Sequence, residues 1–193
     1  MRLILPPDFV TMPWKNGGGV THEIARAEDG AGLLWRLSVA EVATDGPFSS
    51  FPGLARILTV IAGDGLVLSM RGEETTAAPL SPVAFSGDEP VACRLVAGAV
   101  RDFNLIFDPA RIAGAVSVLT GPGMAPAAAG PPVHAVFALA AGVVARASAA
   151  DTEAVTVPPG AAAVGVAGVG AEAPGALALW VNLAAVAGAA ERR

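Results

Sequence analysis

Short apolar runs separated by glycine and proline dominate the chain. Val, Leu, Ile and Phe concentrate in runs such as Arg56–Ile61, Leu66–Met70 and Phe103–Phe107, and turn signals such as Gly46-Pro47 lie between the runs. Long segments with the apolar spacing of an amphipathic helix are missing. The pattern predicts an all-β protein, a sandwich or barrel with few short helices.

Three sequence landmarks recur about 78 residues apart. Leu58–Gly63 resembles Phe137–Gly142, Leu80–Pro82 resembles Val157–Pro159, and Asp102–Leu105 resembles Trp180–Leu183. The alternative is that Ala- and Gly-rich strands align with one another through composition alone. We expect two similar β units packed as one compact body, an N-terminal half over residues 1–111 and a degenerate C-terminal half over 112–193.

Charge is distributed unevenly between these halves. From residue 112 to residue 190 the charged side chains are Arg146, Asp151, Glu153 and Glu172. Polar chemistry must therefore lie mainly in the first 111 residues, and the second half is expected to act as a scaffold.

Composition excludes several classes of function. The 193 residues contain 12 basic and 17 acidic side chains, a net charge of −5, which argues against a nucleic-acid partner. One cysteine, Cys93, excludes an intramolecular disulfide and a Cys-rich zinc site. No apolar segment reaches the roughly 20 residues of a membrane-spanning helix, so we expect a cytoplasmic protein without a membrane partner.

A glycine-rich run near the N-terminus offers the most informative candidate chemistry. Three glycines permit close backbone approach, and exposed N–H groups in such a loop can bind a carboxylate. Lys15 supplies a charge and Trp14 a wall. The alternative is a glycine-rich turn that enters a strand. The candidate ligand-binding residues here are Trp14, Lys15, Asn16, Gly17 and Gly18, followed by Gly19.

Two predicted strands carry polar residues at alternate positions. Arg36 and Ser38 share one face of their strand, and Asp102 and Asn104 share one face of theirs. Inside an apolar protein a buried Arg needs an anion or a carboxylate partner, so Asp102 could pair with Arg36 or Lys15. Solvent-facing polar strands are the alternative.

The loop Gly46–Gly53 completes the candidate site. Phe48 and Phe51 could close over a pocket, and Ser49 or Ser50 could donate a hydrogen bond. The same aromatic side chains could equally serve to bury the loop.

Metal binding has little support in the sequence. The two histidines, His22 and His134, lie in different halves, and neither has a second ligand at a suitable spacing. We expect no metal and no cofactor.

Four ordered blocks between residues 10 and 107 resemble the HutD/Ves family of cupin-like proteins. They are Pro13–Ala25, which reads PWKNGGGVTHEIA, Trp35–Val42, Gly46–Gly53 with Arg56, and Pro82–Leu105 ending in Asp-Phe-Asn-Leu. The resemblance implies a cupin-type double-stranded β-helix, an RmlC-like jelly roll, with two cupin-like halves in one chain (a bicupin). It also implies a pocket without the histidine ligands of metal-dependent cupins.

The resemblance further implies a link to histidine utilisation. Such proteins are thought to bind a pathway metabolite such as N-formylglutamate or urocanate and to moderate the pathway. We therefore expect a carboxylate-binding protein rather than an enzyme, with homodimer formation through uncovered strand edges. The alternative is a metal-independent cupin enzyme, an isomerase or hydrolase acting on a small acid or sugar derivative, with Asp102 and Lys15 as the acid/base pair.

Overall fold

The computed structural model of the chain describes residues 1–15, 17–124, 133–147 and 153–186. Within these residues the chain forms nineteen strands and one short 3-10 helix, Pro6–Asp8. The prediction of an all-β protein is confirmed. No helix in the described residues has the length and apolar character needed to cross a membrane.

The strands follow one another at the short intervals that the turn signals predicted. In chain order they are β1 (Arg2–Ile4), β2 (Val10–Pro13), β3 (Gly19–Asp29), β4 (Gly32–Val42), β5 (Gly46–Pro47), β6 (Ala55–Ala62), β7 (Leu66–Met70), β8 (Glu73–Ala77), β9 (Val83–Ser86), β10 (Val91–Leu95), β11 (Val100–Phe107), β12 (Ile112–Thr120), β13 (Gly123–Met124), β14 (Val133–Ala138), β15 (Val143–Arg146), β16 (Val155–Val157), β17 (Ala162–Val166), β18 (Gly168–Ala171) and β19 (Leu177–Ala185).

The chain divides into two compact units. One is Val10–Pro109, and the other combines Met1–Phe9 with Ala110–Arg193. The division falls close to the expected boundary after residue 111, but the first nine residues group with the C-terminal unit. The reason is strand pairing, because β1 lies antiparallel to β17 with Arg2 opposite Val164.

The unit Val10–Pro109 contains two antiparallel sheets. A six-stranded sheet has the order β2-β3-β4-β11-β6-β9, and a four-stranded sheet has the order β5-β10-β7-β8. Buried residues of both sheets form one apolar cluster, with Leu58 and Val60 from the first sheet and Leu66, Leu68 and Val91 from the second. The sheets therefore pack face to face, as two half-apolar sheets must to bury their inner faces.

The second unit also contains two antiparallel sheets, of order β1-β17-β14-β19-β12 and β13-β18-β15-β16. Its core is built mostly from small side chains, Ala and Val, around the larger Trp180. The high alanine content of this half is therefore used for close packing of the sheets.

Candidate functional site

A cavity of about 580 Å³ lies in the unit Val10–Pro109, over the inner face of the six-stranded sheet. Antiparallel register brings the polar positions of three strands together, because Ser38 lies opposite Asn104, and Ile106 lies between Arg36 and Arg56. Residues that are direct cross-strand partners share one face of a sheet. The alternation predicted for these strands thus places their polar side chains on one surface.

Most of the predicted site residues line this cavity. They are Trp14, Lys15, Arg36, Ser38, Phe48, Ser49, Phe51 and Asn104. Asn16 lies outside the described residues. Gly17, Gly18 and Asp102 are not among the lining residues.

Arg56, the second residue of β6, lines the cavity and is held there by three side-chain contacts. Its side chain is buried, and Nε donates a hydrogen bond of 2.8 Å to Oδ1 of Asn104. The guanidinium carbon lies 4.5 Å from the ring centroid of Phe48 and 5.3 Å from that of Phe85. These distances fit cation–π contacts, so two rings and one amide fix the guanidinium plane.

Arg56 was not among the predicted site residues. The sequence pattern could have predicted it, because Arg56 lies near the start of the apolar strand β6 just as Arg36 lies within the apolar strand β4. A cation in a buried strand requires a partner, and that argument applies equally to both arginines.

Asp102 lies behind Asn104 rather than in the cavity wall. Its side chain is fully buried, and Oδ1 accepts a hydrogen bond from Nδ2 of Asn104. Oδ2 has no hydrogen-bond partner in the described part of the chain. Burial raises the pKa of the Asp102 carboxyl to about 6, although the charge of Arg56 and the bond from Asn104 both act to lower it.

Arg36 does not pair with Asp102 as the sequence analysis allowed. Its Nε donates a 2.7 Å hydrogen bond to Oε2 of Glu23, and both side chains are 15% exposed. Glu23 lies on β3 next to a bulge between Glu23 and Ala25. A β-bulge changes the direction of neighbouring side chains, and the strand pattern alone does not reveal it.

In the glycine-rich run, the N–H of Gly17 is used in the turn that positions Trp14. Gly17 has a positive φ of 71°, and its N–H donates to the carbonyl of Trp14 at 3.0 Å. The carbonyl of Gly18 accepts from the N–H of Ala43 at 3.0 Å. A Cβ on Gly19 would lie 2.3 Å from the carbonyl oxygen of Glu41 and 3.1 Å from the Trp14 ring. The expected role of Gly17 as a donor to a carboxylate is therefore not supported, because its donor is already used.

Trp14 forms one wall of the cavity. Its Nε1 donates to Oγ1 of Thr21 at 2.8 Å, and its ring meets Phe48 edge to face with centroids 6.3 Å apart. Thr21 also lines the cavity, although the sequence analysis did not single it out. The indole is thus held at both its polar and its apolar edge.

The loop that carries Phe48 and Phe51 is fixed by backbone bonds to neighbouring residues. The N–H of Phe48 donates to Val91, and the N–H of Phe51 and the hydroxyl of Ser50 both donate to the carbonyl of Gly87. Phe48 and Phe51 are half-buried and both line the cavity, so the same side chains pack the loop and form the pocket wall.

The described residues contain no group of three or more His, Cys, Asp or Glu side chains that could hold a metal ion. His22 bonds through Nδ1 to Oγ1 of Thr11, and His134, in the second unit, stacks on Trp180 with centroids 4.8 Å apart. Neither imidazole lines the cavity described above.

The paired antiparallel sheets, with a cavity on the inner face of one of them, have cupin-like proteins among their structural neighbours. A cupin 2 conserved barrel domain protein from Leptotrichia buccalis has this fold at a TM-score of 0.58 and 12% identity, covering 90% of this chain and 92% of that one. At that identity the likeness concerns the fold alone.

The chain belongs to the HutD family, whose model matches residues 6–172. HutD from Pseudomonas fluorescens SBW25, solved in a formate condition, is similar at 35% identity and a TM-score of 0.77 over 96% of this chain and 98% of that one. A conserved protein of unknown function from Pseudomonas aeruginosa PAO1 is similar at 34% identity and a TM-score of 0.82, with 94% and 97% covered. The resemblance inferred from the four sequence blocks is confirmed.

A Pseudomonas putida protein named as an uncharacterized 21.2 kDa protein in the hutC 3' region is 47% identical over 115 residues. The match covers 58% of this chain and 60% of that protein.

Proposed function

We propose that the chain is a metal-free binding protein for a small carboxylate metabolite, N-formylglutamate or urocanate, and that it moderates histidine utilisation. The observation that carries this proposal is the buried guanidinium of Arg56 in the cavity. Because Asn104 occupies Nε, the two Nη groups are the donors that Arg56 can offer to a ligand. A guanidinium fork matches the two oxygens of a carboxylate.

The remaining cavity residues suit an anion with a polar body. Glu23 offsets the charge of Arg36, whereas Lys15 adds a cation at an exposed position of the wall. Ser38 and Ser49 supply neutral hydroxyl groups. The volume lies within the roughly 300–1,000 Å³ of small-molecule sites, which combine apolar walls with a few polar groups. N-formylglutamate has two carboxylates, which fits two separated cations.

The histidine link rests on the relatives. One is HutD itself, and another is named for its place in the hutC 3' region. Membership of the same family supports a common pathway for this chain, and the binding assay below tests the metabolite directly.

The proposal includes two cupin-like halves within one chain, of which Val10–Pro109 carries the ligand. Each unit contains a pair of antiparallel sheets. The recurring sequence landmarks lie on corresponding strand pairs, β6 with β11 in one unit and β14 with β19 in the other. Because the landmarks lie on corresponding strand pairs, duplication accounts for the repeat better than shared Ala- and Gly-rich composition does.

Isothermal titration of N-formyl-L-glutamate, urocanate, L-glutamate and L-histidine into the purified chain tests the function. Selective binding of one of the first two is expected, and the ligand should be recovered unchanged by NMR after prolonged incubation. A ligand at 100 times its Kd adds about 2.7 kcal/mol of stability, so a matching rise in Tm is a second readout. Absence of binding by every carboxylate would overturn the proposal, and conversion of the ligand would favour the enzyme alternative.

A further inference from the structure

Three polar side chains form a continuous buried chain that ends at the cavity. Arg56 donates to Asn104, and Asn104 donates to Asp102. Arg56 and Asn104 line the cavity, whereas Asp102 is completely enclosed. The side-chain amide of Asn104 therefore connects the cavity to a carboxyl group that solvent does not reach.

The carboxyl group of Asp102 is only half satisfied. Oδ1 receives the bond from Asn104, and Oδ2 is buried without a partner in the described residues. Its direct cross-strand neighbours on the same sheet face are Ala40 and Val60, which offer no polar side-chain atoms. An unpartnered carboxylate oxygen in apolar surroundings is costly, and a proton on that oxygen removes the charge.

The charge balance among Arg56, Asn104 and Asp102 changes when an anion enters the cavity. Without a ligand, the cation of Arg56 faces the anion of Asp102, and the two charges cancel. A carboxylate bound to the Nη groups adds a second negative charge, so the guanidinium must serve two anions in a buried site. Protonation of Asp102 restores neutrality to the group.

We propose that the cavity takes up its carboxylate ligand together with one proton, and that Oδ2 of Asp102 holds that proton. The inference rests on the proposed function, because it requires an anionic ligand at Arg56. The balance is simple: an ionised Asp102, a ligand carboxylate and a solvent proton give a neutral Asp102 acid beside the bound ligand. No bond to the ligand forms or breaks.

The other charged and titratable groups near Asp102 do not offer an equivalent site for the proton. Burial raises the pKa of the Cys93 thiol on β10, so that group stays neutral. Arg36 already has Glu23 as its direct partner. Burial lowers the pKa of Arg56 itself, but the charge of Asp102 acts against that change. Asp102, with its pKa raised to about 6, is the member that titrates close to neutrality.

Proton uptake gives binding a definite pH dependence. Below about pH 6 Asp102 is already protonated, and affinity should be independent of pH. Above that value each binding event must take up one proton from solvent. Affinity should therefore fall by up to tenfold per pH unit until Asp102 also ionises in the complex. A dicarboxylate such as N-formylglutamate is fully ionised across this range and contributes no proton of its own.

Calorimetric titration in two buffers measures the proton directly. N-formyl-L-glutamate, with glutarate as a second dicarboxylate probe, is titrated at pH 6.5–7.5 in PIPES and in imidazole, whose ionisation heats differ. The heat difference between the buffers should correspond to between about half and one proton taken up per ligand. Binding with no uptake in either buffer would overturn the inference and leave the proposed function intact. Absence of binding by both probes and by urocanate at every pH would overturn both.

Two variants separate Asp102 from the rest of the protein. Asp102→Asn should bind with no proton uptake and with affinity independent of pH, whereas Asp64→Asn, an exposed turn substitution, should behave like the wild type. Uptake that persists in folded Asp102→Asn would overturn the assignment. If that variant does not fold, carbon-detected NMR of the wild-type Asp102 carboxyl replaces it: the titration midpoint should rise when ligand binds, and an unchanged midpoint would contradict the proposal.

Discussion

Nε of Arg56 donates to Oδ1 of Asn104 over 2.8 Å, between residues 48 positions apart in the chain. This bond fixes the orientation of the Asn104 amide, because its oxygen faces Arg56 and its nitrogen faces Asp102. The amide in turn fixes the rotation of the guanidinium. Preorganised donors of this kind bind an anion without the entropy cost of ordering a flexible side chain.

Arg56→Lys should lower the affinity for N-formyl-L-glutamate about 30-fold, which corresponds to about 2 kcal/mol. Lysine keeps the positive charge but loses the fork and the Nε bond to Asn104, and a bidentate site does not tolerate that change. Isothermal titration measures the effect. The matched control is Arg94→Lys, an exposed arginine on β10 of the same unit. Equal affinities of the Arg56→Lys protein and the wild type would rule out a direct role for the guanidinium.

Arg36→Ala should also weaken carboxylate binding, by about tenfold, since it leaves the negative charge of Glu23 beside the cavity. The free energy of unfolding should fall by less than the free energy of ligand binding does. The double variant Glu23→Ala with Arg36→Ala removes the pair together and should regain most of any stability lost in the single variant, because a buried ion pair contributes little net energy. Denaturant unfolding beside titration separates the two effects, and a lowered free energy of unfolding with unchanged ligand affinity would contradict the assignment of Arg36 to the cavity.

Gly19→Ala should destabilise the protein by about 2 kcal/mol, within the range of overpacked sites. The new Cβ would meet the carbonyl oxygen of Glu41 and the ring of Trp14, so either the strand or the indole must move. Because Trp14 lines the cavity, ligand affinity should fall with stability.

Gly30→Ala is the matched control for this substitution, since a Cβ there meets nothing within 4 Å. Its free energy of unfolding should stay within about 0.5 kcal/mol of the wild type. Equal stability of the two glycine variants would show that the packing around Gly19 relaxes without cost.

The strands were predictable because alternation is a local property. Arg36 and Ser38 stand two residues apart, as do Asp102 and Asn104, so each pair must share a face of its strand. The choice of partner was not predictable in the same way. Arg36 bonds Glu23, and Arg56 bonds Asn104, through antiparallel register and a bulge that depend on the whole sheet.

The glycine-rich run shows a different limit of sequence reasoning. Its composition fits both an anion-binding loop and a tight turn, because glycine permits the same backbone freedom in each. The structure uses the N–H of Gly17 within the turn and leaves Gly19 as the point of closest packing against Trp14. Local propensity could not separate these outcomes, since the close approach at Gly19 involves the carbonyl of Glu41 on β4 and the ring of Trp14.

Asp102 should make the protein's stability respond to pH in the direction opposite to most carboxylates. Its pKa rises from 3.8 to about 6 on folding, so the native state binds the proton before the unfolded chain does. Between about pH 6 and pH 4, falling pH therefore increases the free energy of unfolding through this group, by up to roughly 3 kcal/mol. The contribution is complete below the unfolded pKa and is lost as pH rises through 6.

Other carboxylates also titrate in this interval, so the measurement compares wild type with Asp102→Asn at each pH. Asparagine cannot ionise, so the Asp102→Asn protein should lack the pH-dependent stability that protonation of Asp102 contributes. Urea unfolding from pH 4 to pH 7.5 should show the wild type gaining stability relative to the variant as pH falls, with the change centred between 4 and 6. A difference that stays constant over the whole range would mean that Asp102 titrates in the folded protein as it does in the unfolded chain, and that burial beside Val60 does not set its proton affinity.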